Sequence, residues 1–455
     1  MYVIPKSAIS MVGWPALPEP ASALFLAVLH QFDRTERLPP AELEALQFQT
    51  LTGVLRHACD TVPYYRSRPV YREVLDAGPL DADAWRRLPV LTREELQDAG
   101  PSTTSEAIPP DHLPLTESMT SGSTGRPVRT VGTRITSAFW HAITLREHEW
   151  QGRDSTSKLV AIRAEGNDKI PPEGRAVDGW GSSIAVVYEN GPCAMLGISH
   201  DIAHQATWLV DQDPQYLLSL PSNLVALARH FQTTGLRLER LRGVTTYGET
   251  VGADVREACR AAWGVEVADI YSSQEAGYIA LQCPQSEGLH VQSETVYVEV
   301  LDDDDQPCPP GEVGRIVVST LQNYAMPLLR YDVGDCAEMG RTGCPCGRTL
   351  PILERIVGRR RNMLRLPTGE TMWPRLPAHE WAPVAPIRQL QVVQDELDHI
   401  EARIVSERPL TDDEESAFTD VLRRLLKYPF RVSLTYLDRV DRAQERKFDD
   451  FVSRL

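Results

Sequence analysis

The strongest constraint on the fold is an alternation of short apolar runs and helical stretches that begins near residue 158. The runs KLVAIRA, SIAVVY, LRGVTTYG and VEVADIYS have the composition of strands, whereas SNLVALARHFQTTG and ADVREACRAAWG have helical spacing. Strand–helix–strand alternation of this kind is typical of a sheet with helices on its faces. The sequence therefore predicts an α/β fold.

After residue 290 the pattern changes. The segment TVYVEVLDDDDQPCPPGEVGRIVVSTL predicts two strands joined by an acidic, proline-rich hairpin tip. The run Asp302–Asp305 is a candidate cation site, but consecutive carboxylates point apart and repel one another. A solvated turn is the favoured interpretation. Further on, LQVVQD, HIEARIV, TDDEESAFTDVLRRLLKY and FRVSLTYL predict a small α+β domain.

Charge and cysteine usage exclude several classes of protein. The net charge of -16 over 455 residues argues against a general nucleic-acid or anionic-membrane binder, which would need a basic face. The most apolar early stretch, ALFLAVL, is far shorter than the ~20 residues that span a bilayer, and it does not follow a basic segment. We therefore expect a cytoplasmic protein, whose eight cysteines are thiols or metal ligands rather than disulfides.

One loop is rich in small hydroxyl and glycine residues: SMTSGSTGRP, residues 118–127. Such a loop suits phosphate oxygens, because glycine lets the backbone N–H groups approach closely. The P-loop of the NTPases needs Gly-Lys-Ser/Thr leading into a helix, whereas Gly125 is followed here by Arg126 and Pro127. That excludes the P-loop and leaves a plain surface loop or a phosphate loop of another family.

Four downstream motifs decide between these alternatives. TSGSTGRP is followed, in order, by YSSQEAG, RYDVGD, VGRRRN and ERKFDDFVSRL. Together the five motifs resemble those of the acyl-adenylate-forming enzymes, a superfamily of acyl- and aryl-CoA ligases, luciferases and peptide-synthetase adenylation domains. HACDTVPYYRSRP, LPVLTREEL, GLHVQSE, PLLRYDVGD and CPCGRTLPILERIVGR are similar to the phenylacetate–CoA ligase branch. The resemblance is weakest between residues 135 and 215.

The resemblance implies a fold and an activity. An adenylation domain with mixed β-sheets flanked by helices would cover residues 1–358, and a small mobile α+β lid domain would cover 359–455. The enzyme would activate an aromatic acid as acyl-AMP, release pyrophosphate and transfer the acyl group to coenzyme A. Two alternatives remain open: transfer to an amine or hydroxyl of a second small molecule, and a non-catalytic binding module.

The resemblance also assigns roles in binding ATP and Mg²⁺. The loop would grip the β- and γ-phosphates through Thr120, Ser121, Gly122, Ser123, Thr124 and Gly125, and Arg126 would add charge-assisted contacts. Tyr271 would stack on adenine, with Ser272 in the same cofactor site, and Glu275 would hold Mg²⁺ as a hard oxygen ligand. Without the other motifs, Tyr271 would be a strand-end aromatic and Glu275 a helix N-terminal charge.

Further residues are assigned in the same way. Tyr247, Gly248 and Glu249 of TTYGET would contact adenine and the metal region, Asp335 would accept hydrogen bonds from both ribose hydroxyls, and Arg359 would contact ribose or phosphate. Trp140, Tyr188 and Ser272–Ser273 are candidate walls of the acid pocket.

The catalytic lysine implied by the resemblance is Lys447. Its ammonium would bridge the substrate carboxylate and the α-phosphate, stabilising charge that develops only in the transition state. The alternative is a solvated lysine near the end of the chain. Two departures weaken the match: Glu445 and Arg446 replace the usual glycines, and Arg361 stands at the acidic hinge position. The hinge change leaves the identity of the acyl acceptor open.

The cysteines give a separate signal. Cys344 and Cys346 flank Pro345, and Cys283 precedes His290 in CPQSEGLH. Three thiolates and an imidazole would complete a closed, tetrahedral, structural Zn²⁺ site, although one residue between ligands is tighter than usual. From spacing alone, zinc and unconnected thiols are equally supported; the resemblance favours zinc, with Cys336 as a reserve ligand.

The partners expected from these assignments are an aryl acid and an acyl acceptor, with no nucleic acid and no membrane. No sequence pattern decides the oligomeric state, and a homodimer is retained as an alternative to a monomer.

Overall fold

The structure is a computed structural model that describes residues 4–119, 126–164, 170–359, 362–374, 376, 378–437 and 451–455. The chain divides into two compact units. The first comprises Met1–Val333 and Ala337–Ile356, and the second comprises Gly334–Cys336 and Val357–Leu455. The predicted roles of two domains divided at residue 358, adenylation and lid, stay predictions.

The helices of the described residues lie mostly in the first unit. They are α1 Pro20–Thr35, α2 Pro40–Thr61, α3 Pro63–Arg66, α4 Pro69–Asp76, α5 Ala82–Arg86, α6 Arg93–Ala99, α7 Arg134–Trp150, α8 Ser182–Val187, α9 Ile202–Gln212, α10 Pro221–Thr234, α11 Ala253–Trp263, α12 Ala378–Trp381 and α13 Asp412–Leu425. Within the described residues, no helix combines the length and the apolar character needed to cross a membrane.

The strands are short and follow one another at close intervals. They are β1 Leu115–Met119, β2 Arg129–Thr133, β3 Leu159–Arg163, β4 Arg175–Val177, β5 Cys193–Gly197, β6 Tyr216–Ser219, β7 Gly243–Tyr247, β8 Val267–Ser273, β9 Gly277–Gln282, β10 Leu289–Val291, β11 Val296–Leu301, β12 Val313–Thr320, β13 Tyr331–Met339, β14 Ile352–Arg359, β15 Leu364–Arg365, β16 Thr371–Met372, β17 Ile387–Glu396, β18 His399–Ser406, β19 Arg431–Tyr436 and β20 Phe451–Ser453.

A mixed twelve-stranded sheet organises the large α/β part, in the order β11-β12-β13-β14-β10-β9-β8-β7-β6-β3-β5-β4. Strands β5, β3, β6, β7 and β8 run parallel, and the neighbouring pairs β8–β9, β9–β10 and β10–β14 are antiparallel. The predicted α/β class, with a mixed sheet flanked by helices, is confirmed.

Local signals in the sequence account for many of the elements. The helical spacing over residues 41–62 corresponds to α2, and α6 begins at the predicted capping box of Thr92 and Glu95. The acidic segment is the predicted hairpin tip between antiparallel β11 and β12, where Asp302 accepts hydrogen bonds from the backbone N–H groups of Asp304 and Gln306.

One local prediction is wrong. SIAVVY forms helix α8 with Tyr188 as its C-cap, not a strand. The strand of this region is β5, CAMLG, whose five residues pair with β3 in parallel. A short apolar run fits a buried helix face as well as a strand, and Ile184 and Val187 of α8 pack among buried residues of α1 and α7.

The second unit has its own four-stranded sheet, in the order β19-β18-β17-β20. Helix α13 starts at a capping box formed by Thr411 and Glu414, and its buried face carries Phe418 and Leu422. These side chains pack with Val392 and Ile404 of the sheet in a separate apolar core. The small α+β domain predicted from the C-terminal pattern is therefore present.

Candidate functional site

Two motifs of the sequence analysis meet at one edge of the parallel sheet. The last residue of β7, Tyr247, pairs in register with Ile270 of β8. The backbone then turns at Gly248, whose φ of +81° favours glycine, and continues to Glu249. Because β7 and β8 are parallel, the segments 247–249 and 271–275 both emerge at the carboxyl edge, where ligands of open α/β sheets bind.

Glu249 is fixed at the start of a helix. Its carboxylate accepts hydrogen bonds from the backbone N–H of Ser222 at 2.9 Å and from the Ser222 hydroxyl at 3.2 Å. Ser222 is the second residue of α10, so the carboxylate lies where the helix dipole favours negative charge. This contact orients the segment that follows Tyr247.

Tyr271 and Ser272 lie near the carboxyl end of strand β8, before a tight connection to β9. The Ser273 hydroxyl accepts a hydrogen bond from the backbone N–H of Ala276 at 3.0 Å, and Ser273 pairs with Gly277. This closed turn holds Glu275 at its tip.

Glu275 forms an ion pair with Arg93 that the sequence analysis did not anticipate. The distance from Arg93 Nη1 to Glu275 Oε1 is 2.9 Å, and the Glu275 side chain is 9% exposed. Arg93 is the first residue of α6, and Leu91 forms a parallel bridge to Tyr331 of the RYDVGD motif. A cation at a helix N-terminus is unfavourable for the helix dipole. The arginine at the first helical position of LTREEL was therefore the one sequence feature that could have indicated an acidic partner for Arg93.

Two buried polar networks hold the end of β7 from opposite faces, and the sequence analysis missed both. On one face, Arg153 binds Glu147 and donates to the Thr245 hydroxyl at 2.7 Å. On the other, Thr246 donates to the Asp269 carboxylate at 2.9 Å. Neighbouring threonines in a strand point to opposite faces, so the strand that leads to Tyr247 is fixed on both sides.

Asp269 should make the stability of the protein depend on pH. Burial raises the pKa of Asp269 from its ordinary 3.8 to about 6, against the opposing effects of Thr246 and Arg256. Between pH 4 and 6 the unfolded chain loses a proton that the folded protein keeps, so stability falls as pH rises. Asp269→Asn should remove that fall. Relative to the wild type, the free energy of unfolding of the variant should gain ~1–3 kcal/mol between pH 4 and pH 7.

Thermal unfolding of both proteins across pH 4–7 would measure this gain. Asp211→Asn, at an exposed position, is the matched control and should follow the wild type. Curves of Tm against pH that run parallel for wild type and Asp269→Asn would contradict the assignment.

The remaining candidates for the nucleotide site lie in the second unit, outside the described residues, or in an ion pair. Asp335 and Arg359 belong to the second unit, where Arg359 Nε lies 4.0 Å from Asp335 Oδ1. Residues Thr120 to Gly125, Arg361 and Lys447 lie outside the described residues. Arg126 forms an ion pair with Asp98 at 2.6 Å and donates to the backbone carbonyl of Gln97.

The predicted metal ligands form a cluster. One donor atom from each of Cys283, His290, Cys344 and Cys346 lies within 4.8 Å of the others. Cys283 Sγ is 3.4 Å from Cys344 Sγ, and Cys346 Sγ is 3.3 Å from His290 Nε2. His290 Nδ1 faces the carbonyl of Leu350 at 3.4 Å. Cys336, the reserve candidate, is not in this group.

The protonation states of the cluster differ from residue to residue. Burial, with help from Arg348 and Arg146, lowers the pKa of His290 to about 4, so its imidazole is neutral at pH 7. Burial raises the pKa of Cys344 to about 11. Burial opposes ionisation of Cys346 too, yet hydrogen bonds from Arg348 and the neighbouring thiols lower its pKa. Zn²⁺ prefers cysteine thiolates and neutral imidazole, so the neutral His290 suits it, and binding at Cys344 would displace the thiol proton.

The chain is similar to phenylacetate-coenzyme A ligases. No family model matches the chain. The chain is 26% identical over 346 residues to the phenylacetate-coenzyme A ligase of Thermus thermophilus, covering 72% of this chain and 73% of that protein. It is 26% identical over 361 residues to the phenylacetate-coenzyme A ligase of Escherichia coli, covering 73% and 75%.

Solved structures match over a longer stretch. A 2-hydroxyisobutyryl-CoA ligase in the postadenylation state, in complex with 2-HIB-AMP, superposes with a TM-score of 0.69 at 20% identity, covering 93% of this chain and 90% of that one. The anthranilate CoA ligase AuaEII in complex with anthranoyl-AMP gives 0.53 at 15% identity, covering 72% and 63%. At these identities the likeness establishes the fold.

Proposed function

We propose that this chain, which belongs to the phenylacetate–CoA ligase-like branch of the acyl-adenylate-forming superfamily, is an AMP-forming acid–CoA ligase. The observation that carries the proposal is the convergence at the carboxyl edge of β7 and β8. There the segment 247–249 and the Glu275 turn of the YSSQE motif emerge side by side from paired strands. The similarity to two phenylacetate-coenzyme A ligases over more than two thirds of each chain supports it.

The reaction has two steps. A carboxylate oxygen of the substrate attacks the α-phosphorus of ATP, the bond to the β-phosphate oxygen breaks, and pyrophosphate leaves. The thiolate of coenzyme A then attacks the acyl carbonyl of the acyl-AMP, and AMP leaves with the bonding electrons. The first step concentrates charge on the phosphates, which is where fixed positive groups contribute most to the rate.

The proposal gives each motif a role. Residues 120–125 bind the β- and γ-phosphates, and Tyr271 with Ser272 binds adenine. The segment 247–249 contacts adenine and the metal region. Asp335 binds ribose, and Arg359 binds ribose or phosphate. Glu275 would hold Mg²⁺, a hard cation that prefers carboxylate oxygens, and its carboxylate would then give up the ion pair with Arg93. Lys447 stabilises the charge that forms as the carboxylate attacks.

The finer proposal is that the acid is aromatic. Trp140 of α7 is 43% exposed, and its ring lies 4.2 Å from the ring of Tyr278, centroid to centroid. Gly277, the first residue of β9, lies beside them: a Cβ there would be 3.8 Å from the Trp140 ring, an ordinary van der Waals contact. Aromatic surface next to the nucleotide motifs suits an aryl acid. Tyr188, by contrast, is buried and donates to Glu149 at 2.7 Å.

We further propose that the four-residue cluster holds a structural Zn²⁺. All four positions of a tetrahedral ion would be filled by protein, leaving none for water. Purified protein should contain about one zinc per chain by elemental analysis, and Cys344→Ser should lower both the zinc content and the Tm. Cys308→Ser, at a buried cysteine outside the cluster, is the matched control for zinc content. A stable, metal-free preparation would rule the site out.

The activity is tested by acid-dependent exchange of labelled pyrophosphate into ATP, measured against a panel of aryl acids. At least one acid should support exchange; a chain that supports none with any acid is not an adenylating enzyme. Mass spectrometry of products with and without coenzyme A then identifies the acceptor. A thioester supports the ligase, whereas an ester or amide formed only with a second small molecule supports the alternative raised by Arg361.

A further inference from the structure

The connections of the parallel sheet change direction between β3 and β6. From β3 the chain passes to β5 on one side, and then returns to β6 on the other side of β3 before continuing to β7 and β8. In open α/β sheets, the crevice outside the carboxyl ends of two such strands is a preferred place for ligands. Arg163 is the last residue of β3, and α10 begins at Pro221 after β6.

Arg163 directs a positive charge across this crevice. Its guanidinium carbon lies 5.7 Å from the centre of the Tyr247 ring, although Tyr247 ends β7, two strands away. The two side chains together therefore bridge the two strand spacings, about 10 Å, that separate β3 from β7. Burial raises the pKa of Tyr247, and the charge and hydrogen bond of Arg163 oppose that effect. The guanidinium is thus held against an aromatic face, next to the segment proposed to bind the nucleotide.

A buried hydrogen-bonded layer fixes the strands on either side of the crevice. The Ser219 hydroxyl donates to the carbonyl of Ile162 at 2.9 Å, and Asn223 Nδ2 donates to Ser219 at 3.1 Å and to Gln205 at 2.8 Å. Gln205 in turn donates to the carbonyl of His200 at 2.7 Å. Ser219, Asn223 and Gln205 are fully buried. These bonds hold the base of Arg163 in place, and within the described residues the buried Oδ1 of Asn223 accepts no hydrogen bond.

We propose that Arg163 binds a second carboxylate on the acid substrate, so that the substrates are dicarboxylic aryl acids. The proposal rests on the proposed function. A guanidinium presents a planar fork of N–H donors that matches a carboxylate in two-point geometry. Glu249, the acidic residue nearest in sequence to Tyr247, is bonded to Ser222 at the start of α10. One carboxylate of the substrate reacts at the nucleotide while Arg163 holds the other.

The test compares matched acids in the exchange assay: benzoate with terephthalate, and phenylacetate with 1,4-phenylenediacetate. The wild type should prefer the dicarboxylic member of at least one pair by ~10-fold or more in kcat/KM. Arg163→Gln should remove that preference by raising KM for the dicarboxylic acid ~10–100-fold, the loss expected for a charged hydrogen bond. The activity on the monocarboxylic acids should fall far less, because they lack the second carboxylate, and the KM for ATP reports any effect that passes through Tyr247.

Two comparisons give the experiment its controls. Arg163→Lys should retain part of the preference, because an ammonium keeps the charge without the fork. Arg240→Gln, at an exposed ion pair with Asp213 ahead of β7, should behave as the wild type. A wild-type preference for monocarboxylic acids, or equal losses on both members of a pair in Arg163→Gln, would overturn the proposal.

Failure of the proposed function gives a different result. If no acid supports exchange, the adenylation proposal fails, and thermal-shift titration with terephthalate still tests Arg163. Stabilisation by terephthalate that is lost in Arg163→Gln, but kept in Arg240→Gln, supports the dicarboxylate site; equal shifts in all three proteins reject it.

Discussion

Lys447→Ala should lower acid-dependent ATP–pyrophosphate exchange by at least ~100-fold, or ~3 kcal/mol in the adenylation barrier, the usual cost of removing one preorganised transition-state donor. Lysine is rare in this chain, and Lys447 is followed by the Phe-Asp-Asp-Phe that matches the family motif. If the ammonium acts only while the carboxylate attacks phosphorus, the second step should survive. Chemically prepared acyl-AMP should therefore still give thioester with coenzyme A.

The neighbouring Arg446 supplies the control. Arg446→Ala removes a positive charge one residue away and should leave exchange close to the wild-type rate, because charge stabilisation in a transition state depends on position. Full exchange activity in Lys447→Ala would show that another cation performs this task. Equal losses in both variants would point to general electrostatics near the end of the chain.

The fold was largely accessible from the sequence, because its signals are local. Hydrophobic spacing and a capping box define α2 and α6 before any tertiary contact is considered, and the acidic tip between β11 and β12 follows from turn chemistry. The prediction of a strand for SIAVVY was wrong because it also relied on a local signal. A six-residue apolar run is too short to distinguish the period of a helix from that of a strand. Its packing against α1 and α7 decided the outcome.

The candidate site was accessible only where residues carry a motif. The four proposed zinc ligands were singled out by spacing together with the family resemblance, and the structure brings all four together. Arg93, Arg153 and Asp269 reach the site through long-range contacts. Such contacts depend on strand order and register, for which a single sequence has no local pattern. The position of Arg163 near Tyr247 likewise depends on the strand order β7-β6-β3, which no local pattern predicts.

Glu275→Gln should lower exchange by ~100-fold or more, since it removes the charged oxygen ligand proposed for Mg²⁺ while keeping the shape of the side chain. The loss should be greatest at low Mg²⁺ and smaller as Mg²⁺ is raised, because the metal is then held by the phosphates alone. Exchange rates measured as a Mg²⁺ titration, together with the KM for MgATP, would check this expectation.

The ion pair with Arg93 makes a second variant necessary. Glu275→Gln also leaves a half-buried guanidinium without its carboxylate, a change that is destabilising in its own right. The double variant Arg93→Gln/Glu275→Gln removes both charges. If the loss of activity comes from the metal ligand, the double variant should regain Tm but not exchange. Recovery of both would assign Glu275 to neutralising Arg93 and would reject it as the magnesium ligand. Glu266→Gln, at an exposed ion pair with Arg260 just before β8, should leave Tm and exchange unchanged.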